Sequence, residues 1–315
     1  ILARDRAERF DLDRAPLLRF TLIRLAADRH RLVITNHHIL MDGWSMPVLV
    51  QELFTLYADK GEAARLPRAL PYRDYLAWIA TQDHAAAVSA WREALAGLDE
   101  ATRVAAHVAT HDGGPVPAVP ERITLALSEP LSAALSQQAR RHGLTLNTLL
   151  QAAWAILLGR MTGRDDVVFG VTVAGRPPEI AGIERMVGLF INTLPLRVKV
   201  PAGKPLLALL KEVQDGQSRL MAHQHLGLAE IQGLAGLGEL FDTLVVFENY
   251  PVERGGLLAD AEGLRLSDVS GRDGTHYPLS LAARAGERLQ LRLSYRPDLF
   301  ERSSVEAIAA RLIRL

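Results

Sequence analysis

The sequence contains no cysteine among its 315 residues, which excludes disulfide bonds, thiolate metal ligands and a cysteine nucleophile. It also has no excess of either charge: lysine plus arginine and aspartate plus glutamate number 36 each, so neither nucleic acid nor an anionic membrane is an expected partner. Long apolar runs are missing, since the longest candidate, 149–158, is interrupted by Gln151. Without a signal-peptide pattern, we expect a cytoplasmic protein. The chain starts at Ile1 and not at methionine, so we expect a fragment or an excised domain.

The hydropathy pattern predicts an α/β fold. Hydrophobic residues make up 49% of the chain, which is enough for a substantial core. Segments with strand and helix periodicity alternate along the sequence, as in layered α/β proteins. A stretch rich in glycine and proline, 107–120, predicts a linker between a first domain at 1–106 and a second at 121–315. Strands are predicted at 17–25, 31–36, 122–127, 166–173, 193–200, 243–249, 277–283 and 288–295, and helices at 44–57, 72–82, 85–98, 128–143, 146–161, 205–221 and 303–315.

The segment HHILMDG at 37–43 is the most informative local feature. It follows a run of β-branched and apolar residues, 32–35, and precedes an amphipathic stretch, 44–57. That order predicts a strand, a tight turn and a helix, with a histidine where the backbone changes direction. A histidine held in this way can present one ring nitrogen to a substrate.

Written HHxxxDG, this segment resembles the signature of nonribosomal peptide synthetase condensation domains and their relatives in the chloramphenicol-acetyltransferase-like superfamily. Further blocks resemble that family, in family order and over essentially the whole chain. They are FDL at 10–12 with PLLR at 16–19, YRDYLAW at 72–78, GVTVAGRPP at 170–178, VGLFINTLPLR at 187–197, HQH at 223–225, LFD at 240–242 with VFENYP at 246–251, YPL at 277–279 and YRPDLF at 295–300.

The resemblance implies two acetyltransferase-like lobes in a V arrangement, with a tunnel between them that is open at both ends. Family members carry a further stretch before the position of residue 1, so the first lobe is expected to be incomplete. The implied partners are donor and acceptor peptidyl carrier protein domains and a neighbouring adenylation domain. The chain itself is expected to bind no cofactor or metal, because the phosphopantetheine arms belong to the carriers. The implied setting is antibiotic or siderophore biosynthesis.

The implied reaction is attack of an acceptor amine on a donor thioester. An α-amino group has a pKa of roughly 8, so about a tenth of it is already nucleophilic at pH 7. Catalysis then needs positioning of both substrates, removal of a proton and support for the oxyanion. We assign proton removal or orientation of the amine to His38. The amide of Gly43 and the side chain of Asn249 are the candidate oxyanion donors.

Two further motif residues are expected to be structural. Adjacent side chains on a strand point to opposite faces, so His37 and His38 can hardly reach one substrate, and we predict a structural role for His37. Asp42 either orients an imidazole or pairs with an arginine. The resemblance favours the ion pair, with a partner in the missing N-terminal stretch or at Arg197.

Several alternatives stay open on the sequence alone. An epimerization domain would use the same histidine to exchange an α-proton, but Met46-Pro47 does not resemble that branch. A heterocyclization domain would carry a different, acid-rich motif. A docking scaffold would keep the fold without turnover. Metal and serine-hydrolase chemistry are disfavoured, because neither HExxH nor GxSxG is present. The residues after the histidines, DGWSMPVL, resemble members that accept an L-configured donor.

Overall fold

A computed structural model describes residues 1–108, 119–248 and 263–315, and these residues form two compact units. The smaller unit contains 1–80, 176–191 and 263–269; the larger contains 81–108, 119–175, 192–248 and 270–315. Most of the predicted linker, 107–120, lies outside the described residues. The contacts divide the chain earlier, between Ala80 and Thr81.

The smaller unit is built on a two-stranded antiparallel ribbon. Its strands are β1 (Leu18–Arg24) and β2 (His30–Asn36), and its helices are α1 (Leu2–Ala7), α2 (Ser45–Ala58) and α3 (Arg73–Ala80). Phe20 pairs with Ile34 and Arg19 pairs with Thr35, so each pair shares one face of the ribbon. Short 3₁₀ turns occur at Ala63–Arg65 and Ile183–Arg185. The ribbon leads directly into the histidine motif.

The larger unit is a six-stranded mixed sheet with helices. Its helices are α4 (His84–Leu95), α5 (Ala105–Val108), α6 (Glu129–Arg141), α7 (Leu146–Thr162), α8 (Leu206–Leu220), α9 (Leu228–Ala235) and α10 (Arg302–Arg314), with a 3₁₀ turn at Met221–His223. Its strands are β3 (Glu121–Ala126), β4 (Asp166–Val173), β5 (Asn192–Lys199), β6 (Thr243–Glu248), β7 (Leu279–Arg284) and β8 (Gln290–Tyr295). The sheet order is β3-β8-β7-β6-β4-β5. The pairs β4–β6 and β6–β7 are parallel and the other neighbours are antiparallel.

Local sequence signals explain where the helices of this sheet layer begin and end. The side chains of Ser128 and Thr145 accept hydrogen bonds from the first turns of α6 and α7, as N-caps do. Helix α7 ends at Gly163, whose φ of 72° is left-handed and suits glycine. α7 packs against β4 and buries Trp154 completely. The predicted helices and strands of this half are therefore present within a few residues of their expected bounds.

Helix α4 explains why the contacts divide the chain before the predicted linker. Its residues Ala87, Trp91 and Leu95 are buried in the main core of the larger unit. The indole Nε1 of Trp91 also donates to the backbone oxygen of His223, 2.9 Å away. The stretch of 81–108 therefore belongs to the larger unit by packing, although it precedes the predicted linker in sequence.

Three short helices were not predicted, namely α1, α5 and α9. The first two have six and four residues, which is too short for a helical period to be seen in sequence, and α9 has eight. The prediction of a mixed α/β fold is confirmed by the observed elements. Within the described ranges, no helix combines the length and apolarity that crossing a membrane requires.

Candidate functional site

The histidine motif forms a closed turn at the end of β2. The backbone N–H of His37 donates to Leu17 O at 3.0 Å, which extends the β1–β2 ladder by one residue. Leu40 N donates to His37 O at 3.1 Å and closes the turn. Within it, Ile39 N donates to the ring Nδ1 of His37 at 3.2 Å. The ring of His37 is thus part of the turn, with Nδ1 as the acceptor of this bond.

The two histidines have different surroundings. His37 is half-buried, and its ring meets that of Phe10 edge-on, with centroids 6.5 Å apart. His38 is exposed, and in the described part of the chain no hydrogen bond or ion pair holds its ring. The side chain of His38 is therefore available to a ligand, whereas that of His37 is engaged in its own loop.

Asp42 is the centre of a buried hydrogen-bond network. It is only 2% exposed, and its Oδ1 accepts from both the backbone N–H and the hydroxyl of Ser45, at 3.0 and 2.8 Å. Its Oδ2 accepts from Phe190 N at 3.2 Å, while its own N–H donates to Gly188 O at 3.0 Å. The carboxylate thus fixes the start of α2 and joins it to the 188–190 segment.

Arg176 supplies the positive charge of this network. Its Nη2 lies 3.1 Å from Asp42 Oδ1, and the two side chains are 5% and 0% exposed. Its Nη1 donates to the backbone oxygens of Ile183 and Met186. Burial lowers the pKa of Arg176 from its ordinary value and Asp42 opposes that change. A guanidinium remains charged under such a shift, so this is a buried, multiply bonded ion pair.

An aromatic cluster encloses the ion pair. The guanidinium carbon of Arg176 lies 3.9 Å from the centroid of the Phe190 ring, and Tyr72 and Tyr75 pack on the same ring at 5.1 and 4.8 Å. Burial raises the pKa of Tyr72, and it raises the pKa of Tyr75 to about 12. Both phenols are therefore neutral near pH 7, and Tyr72 can donate its proton to Leu189 O.

Gly188 leaves no room for a side chain beside this cluster. A Cβ built on Gly188 would clash with Cδ2 of Tyr72 and would lie 2.6 Å from its Cε2. We expect Gly188→Ala to lower the free energy of unfolding by about 1–3 kcal/mol, the usual cost of overpacking. Denaturant titration measures this loss. Gly227→Ala, where a Cβ would contact nothing within 4 Å, is the control; equal stability of the two variants would contradict the prediction.

The other residues predicted for the site lie in different places. Gly43 is half-buried in the turn before α2, and the described glycines with a left-handed φ do not include it. Its role as an amide donor stays a prediction. Asn249 lies outside the described residues, so its predicted role is untested.

Arg197 is not the partner of Asp42. It lies on β5 in the larger unit, where Nε and Nη2 bond to the carboxylate of Asp166 at 3.0 and 2.7 Å. Its Nη1 donates to Ala96 O at 2.8 Å, just beyond the end of α4. The expectation that Asp42 pairs with Arg197 or with a residue before Ile1 is thus corrected, because Arg176 occupies that position.

We expect Arg197→Met to destabilise the larger unit. The side chain of Arg197 is 9% exposed and that of Asp166 is 21% exposed, so the variant leaves a partly buried carboxylate without its cation. Hydrogen bonds to charged groups contribute about 1.5–3 kcal/mol, which sets the expected loss on denaturant titration. Arg288→Met, which removes an exposed pair with Glu129, is the control and should change stability by less than about 1 kcal/mol.

Arg176 is the main residue of the Asp42 network that was not predicted from the sequence. A signal was present, because this arginine stands in the GVTVAGRPP block and the serine at position 45 follows the DG of the motif. Nothing in the local pattern showed that these two segments, 131 residues apart, meet.

In the described ranges, no group of three or more histidine, aspartate or glutamate side chains could hold a metal ion.

Comparisons with known proteins identify the family of the chain. The family model described as condensation domain matches residues 1–315. The chain is 38% identical to one of the linear gramicidin synthase proteins of Brevibacillus parabrevis, over 100% of this chain and 4% of that protein. It is 34% identical to bacitracin synthase 3 of Bacillus licheniformis, over 98% of this chain and 5% of that protein. The chain thus spans only about a twentieth of the length of these synthetases.

Solved structures share the fold. An X-domain from teicoplanin biosynthesis, solved in complex with OxyB, superposes with a TM-score of 0.83 at 26% identity, covering 99% of this chain and 72% of that one. The first condensation domain of the calcium-dependent antibiotic synthetase, in complex with a substrate analogue, gives a TM-score of 0.73 at 23% identity, with the same coverages of 99% and 72%. Together with the match over the whole chain and the histidine turn braced by Asp42 and Arg176, these similarities show that the chain belongs to the condensation domain family of nonribosomal peptide synthetases.

Proposed function

We propose that the chain forms an amide bond by transferring an acyl group from a donor thioester to an acceptor amine. The substrates are aminoacyl or peptidyl groups on the phosphopantetheine arms of two carrier protein domains, and an adenylation domain of the same synthetase loads one of them. The similarity to gramicidin and bacitracin synthases supports this proposal. The chain needs no resident cofactor, because the arms arrive with the carriers.

The observation that carries the proposal is the histidine turn. The ring of His38 is exposed and unengaged in the described part of the chain, while the turn that bears it is fixed from both ends by backbone hydrogen bonds and by the Asp42 network. A neutral imidazole in such a position can accept a proton from the amine as the C–N bond forms. The thioester carbon then releases the thiolate of the donor arm, and the new amide remains on the acceptor arm.

Tethering supplies much of the expected acceleration. Holding both substrates on carriers replaces a dilute encounter with an effective concentration near millimolar. Good orientation of the reacting atoms can lower the barrier by roughly 7–11 kcal/mol. The amide of Gly43 and the side chain of Asn249 are proposed to stabilise the oxyanion. We propose an L-configured donor.

One assay separates the candidate reactions. The protein is mixed with a donor carrier and an acceptor carrier, loaded in turn with a panel of amino acids, and each carrier is analysed by mass spectrometry and for stereochemistry. A dipeptidyl group on the acceptor carrier supports condensation. Inversion of the α-carbon on one carrier alone would support epimerization and would refute the proposal.

A docking scaffold without turnover is the second candidate. The X-domain from teicoplanin biosynthesis, which shares the fold at 26% identity, was solved bound to OxyB. A chain of this fold can therefore bind a partner protein. Binding of both carriers with no product for any amino acid pair would favour the scaffold over the condensing enzyme.

A further inference from the structure

We propose that Phe10 and Arg19 are positioning residues that hold the ring of His37 and, through the turn it closes, set the direction in which His38 is presented. The inference deepens the proposed function and depends on it for its kinetic part. Its structural part can be tested without any turnover. All of the residues involved belong to the smaller unit.

Arg19 and His37 lie on the same face of the β1–β2 ribbon. Arg19 on β1 is paired with Thr35 on β2, so their side chains share a face. His37 lies two residues after Thr35, and its backbone N–H still bonds to Leu17 O as part of the ladder. A spacing of two returns to the same face, so Arg19, Thr35 and His37 point to one side of the ribbon.

Helix α1 and the residue that follows it, Glu8, hold Arg19 over that face by hydrogen bonds. Nε of Arg19 bonds to Asp5 Oδ1 at 3.3 Å, and Nη2 donates to the backbone oxygens of Asp5 and Glu8, each at 2.9 Å. The hydroxyl of Thr35 donates to the other carboxylate oxygen of Asp5. This bond and the guanidinium lower the pKa of Asp5, so the carboxylate stays charged. The arginine side chain, only 23% exposed, is therefore held at both Nε and Nη2.

Phe10 lies between Arg19 and the ring of His37 and contacts both. The guanidinium carbon of Arg19 lies 4.2 Å from the centroid of the Phe10 ring, in a cation–π contact. The ring of Phe10 meets the ring of His37 edge-on, at 6.5 Å between centroids. The Nδ1 of His37 accepts from Ile39 N, the residue after His38. Rotation of the His37 ring would break this bond, and the backbone around His38 would then be held only by the bonds of His37 N to Leu17 O and of Leu40 N to His37 O.

Phe10 therefore acts on the turn through His37. Its effect is expected in turnover and not in the binding of carriers. Misplacement of a catalytic group by about 1 Å can cost up to roughly 10²-fold in rate. We expect a loss of about 10-fold in kcat for Phe10→Leu, with KM for the carriers unchanged.

The test compares Phe10→Leu, Phe10→Tyr and Arg19→Met, with Arg24→Met as the control on the same strand, where Arg24 is exposed. The first readout is the ¹⁵N chemical shift of the His37 ring nitrogens, which reports whether Nδ1 accepts a hydrogen bond. The second is kcat and KM for the carrier pair that the wild-type protein condenses fastest. Phe10→Tyr keeps the ring and should retain both readouts.

The expected result is a changed His37 signal together with lower kcat in Phe10→Leu and Arg19→Met, and neither change in Phe10→Tyr or Arg24→Met. An unchanged His37 signal in a folded Phe10→Leu variant would overturn the inference, whatever the rate. Should the wild-type protein form no dipeptidyl product, the proposed function fails, while the His37 signals still decide whether Phe10 holds the ring. If Arg19→Met does not fold, the Phe10 pair gives the answer alone.

Discussion

Replacement of His38 by alanine is expected to lower the rate of dipeptide formation by about 10²- to 10⁴-fold, the range that general base catalysis contributes. The physical reason is that proton removal then passes to water, while both substrates remain tethered and oriented. KM for the loaded carriers should stay the same, because the expected loss is in proton transfer and not in binding. Single-turnover analysis of the acceptor carrier by mass spectrometry measures the loss.

His38 is exposed, so its replacement by alanine should change the rate without changing the stability of the protein. Its ring contributes no hydrogen bond to the described part of the structure, so His38→Ala should unfold at the wild-type denaturant concentration. His30→Ala removes another exposed histidine, at the start of β2, and should leave the rate unchanged. Wild-type turnover in His38→Ala, or an equal loss in His30→Ala, would remove His38 from the mechanism.

Replacement of Arg176 by methionine is expected to cost about 3–5 kcal/mol in the free energy of unfolding. The variant keeps most of the side-chain volume but leaves the carboxylate of Asp42 buried without a cation. It also removes donors from the backbone oxygens of Ile183 and Met186 and the guanidinium from the face of Phe190. Urea titration of the folded protein gives the loss directly.

Two further variants show that the loss comes from the ion pair. Arg185→Met alters an arginine of the same segment that is 60% exposed, and it should change stability by less than about 1 kcal/mol. Asp42→Asn combined with Arg176→Met should be less destabilised than the sum of the single variants, because no charge is then left alone in the core. Strict additivity would argue against a direct pair between Asp42 and Arg176.

The strand, turn and helix around His38 were predictable because their signals are local. Alternation of apolar residues, a DG turn and an amphipathic stretch predicted β2, the turn and α2, and these elements lie within two residues of their expected bounds. The different surroundings of the two histidines follow from the same local geometry, since neighbouring side chains diverge. The structure adds the particular bond by which His37 closes the turn, from Ile39 N to Nδ1.

The partner of Asp42 could not be read from the sequence in the same way. The chain offers 36 lysines and arginines, and no local pattern distinguishes the one that lies beside a given carboxylate. Arg197 was a reasonable candidate, yet its guanidinium bonds to the carboxylate of Asp166 and to the backbone oxygen of Ala96 at the end of α4. The division of the chain into units likewise depends on the packing of α4 in the core of the larger unit. The Gly- and Pro-rich stretch at 107–120, from which the boundary was predicted, carries no information about that packing.

The sequence by itself therefore determined the α/β class, the condensation motif and the turn that carries His38, because hydrophobic periodicity and turn chemistry act between residues close along the chain. Only the tertiary structure decided that Arg176 neutralises Asp42, that Ser45 and Phe190 complete that network, and that Phe10 lies between Arg19 and His37. Those contacts join segments up to 148 residues apart, and their selection depends on which side chains the folded core brings within hydrogen-bonding distance.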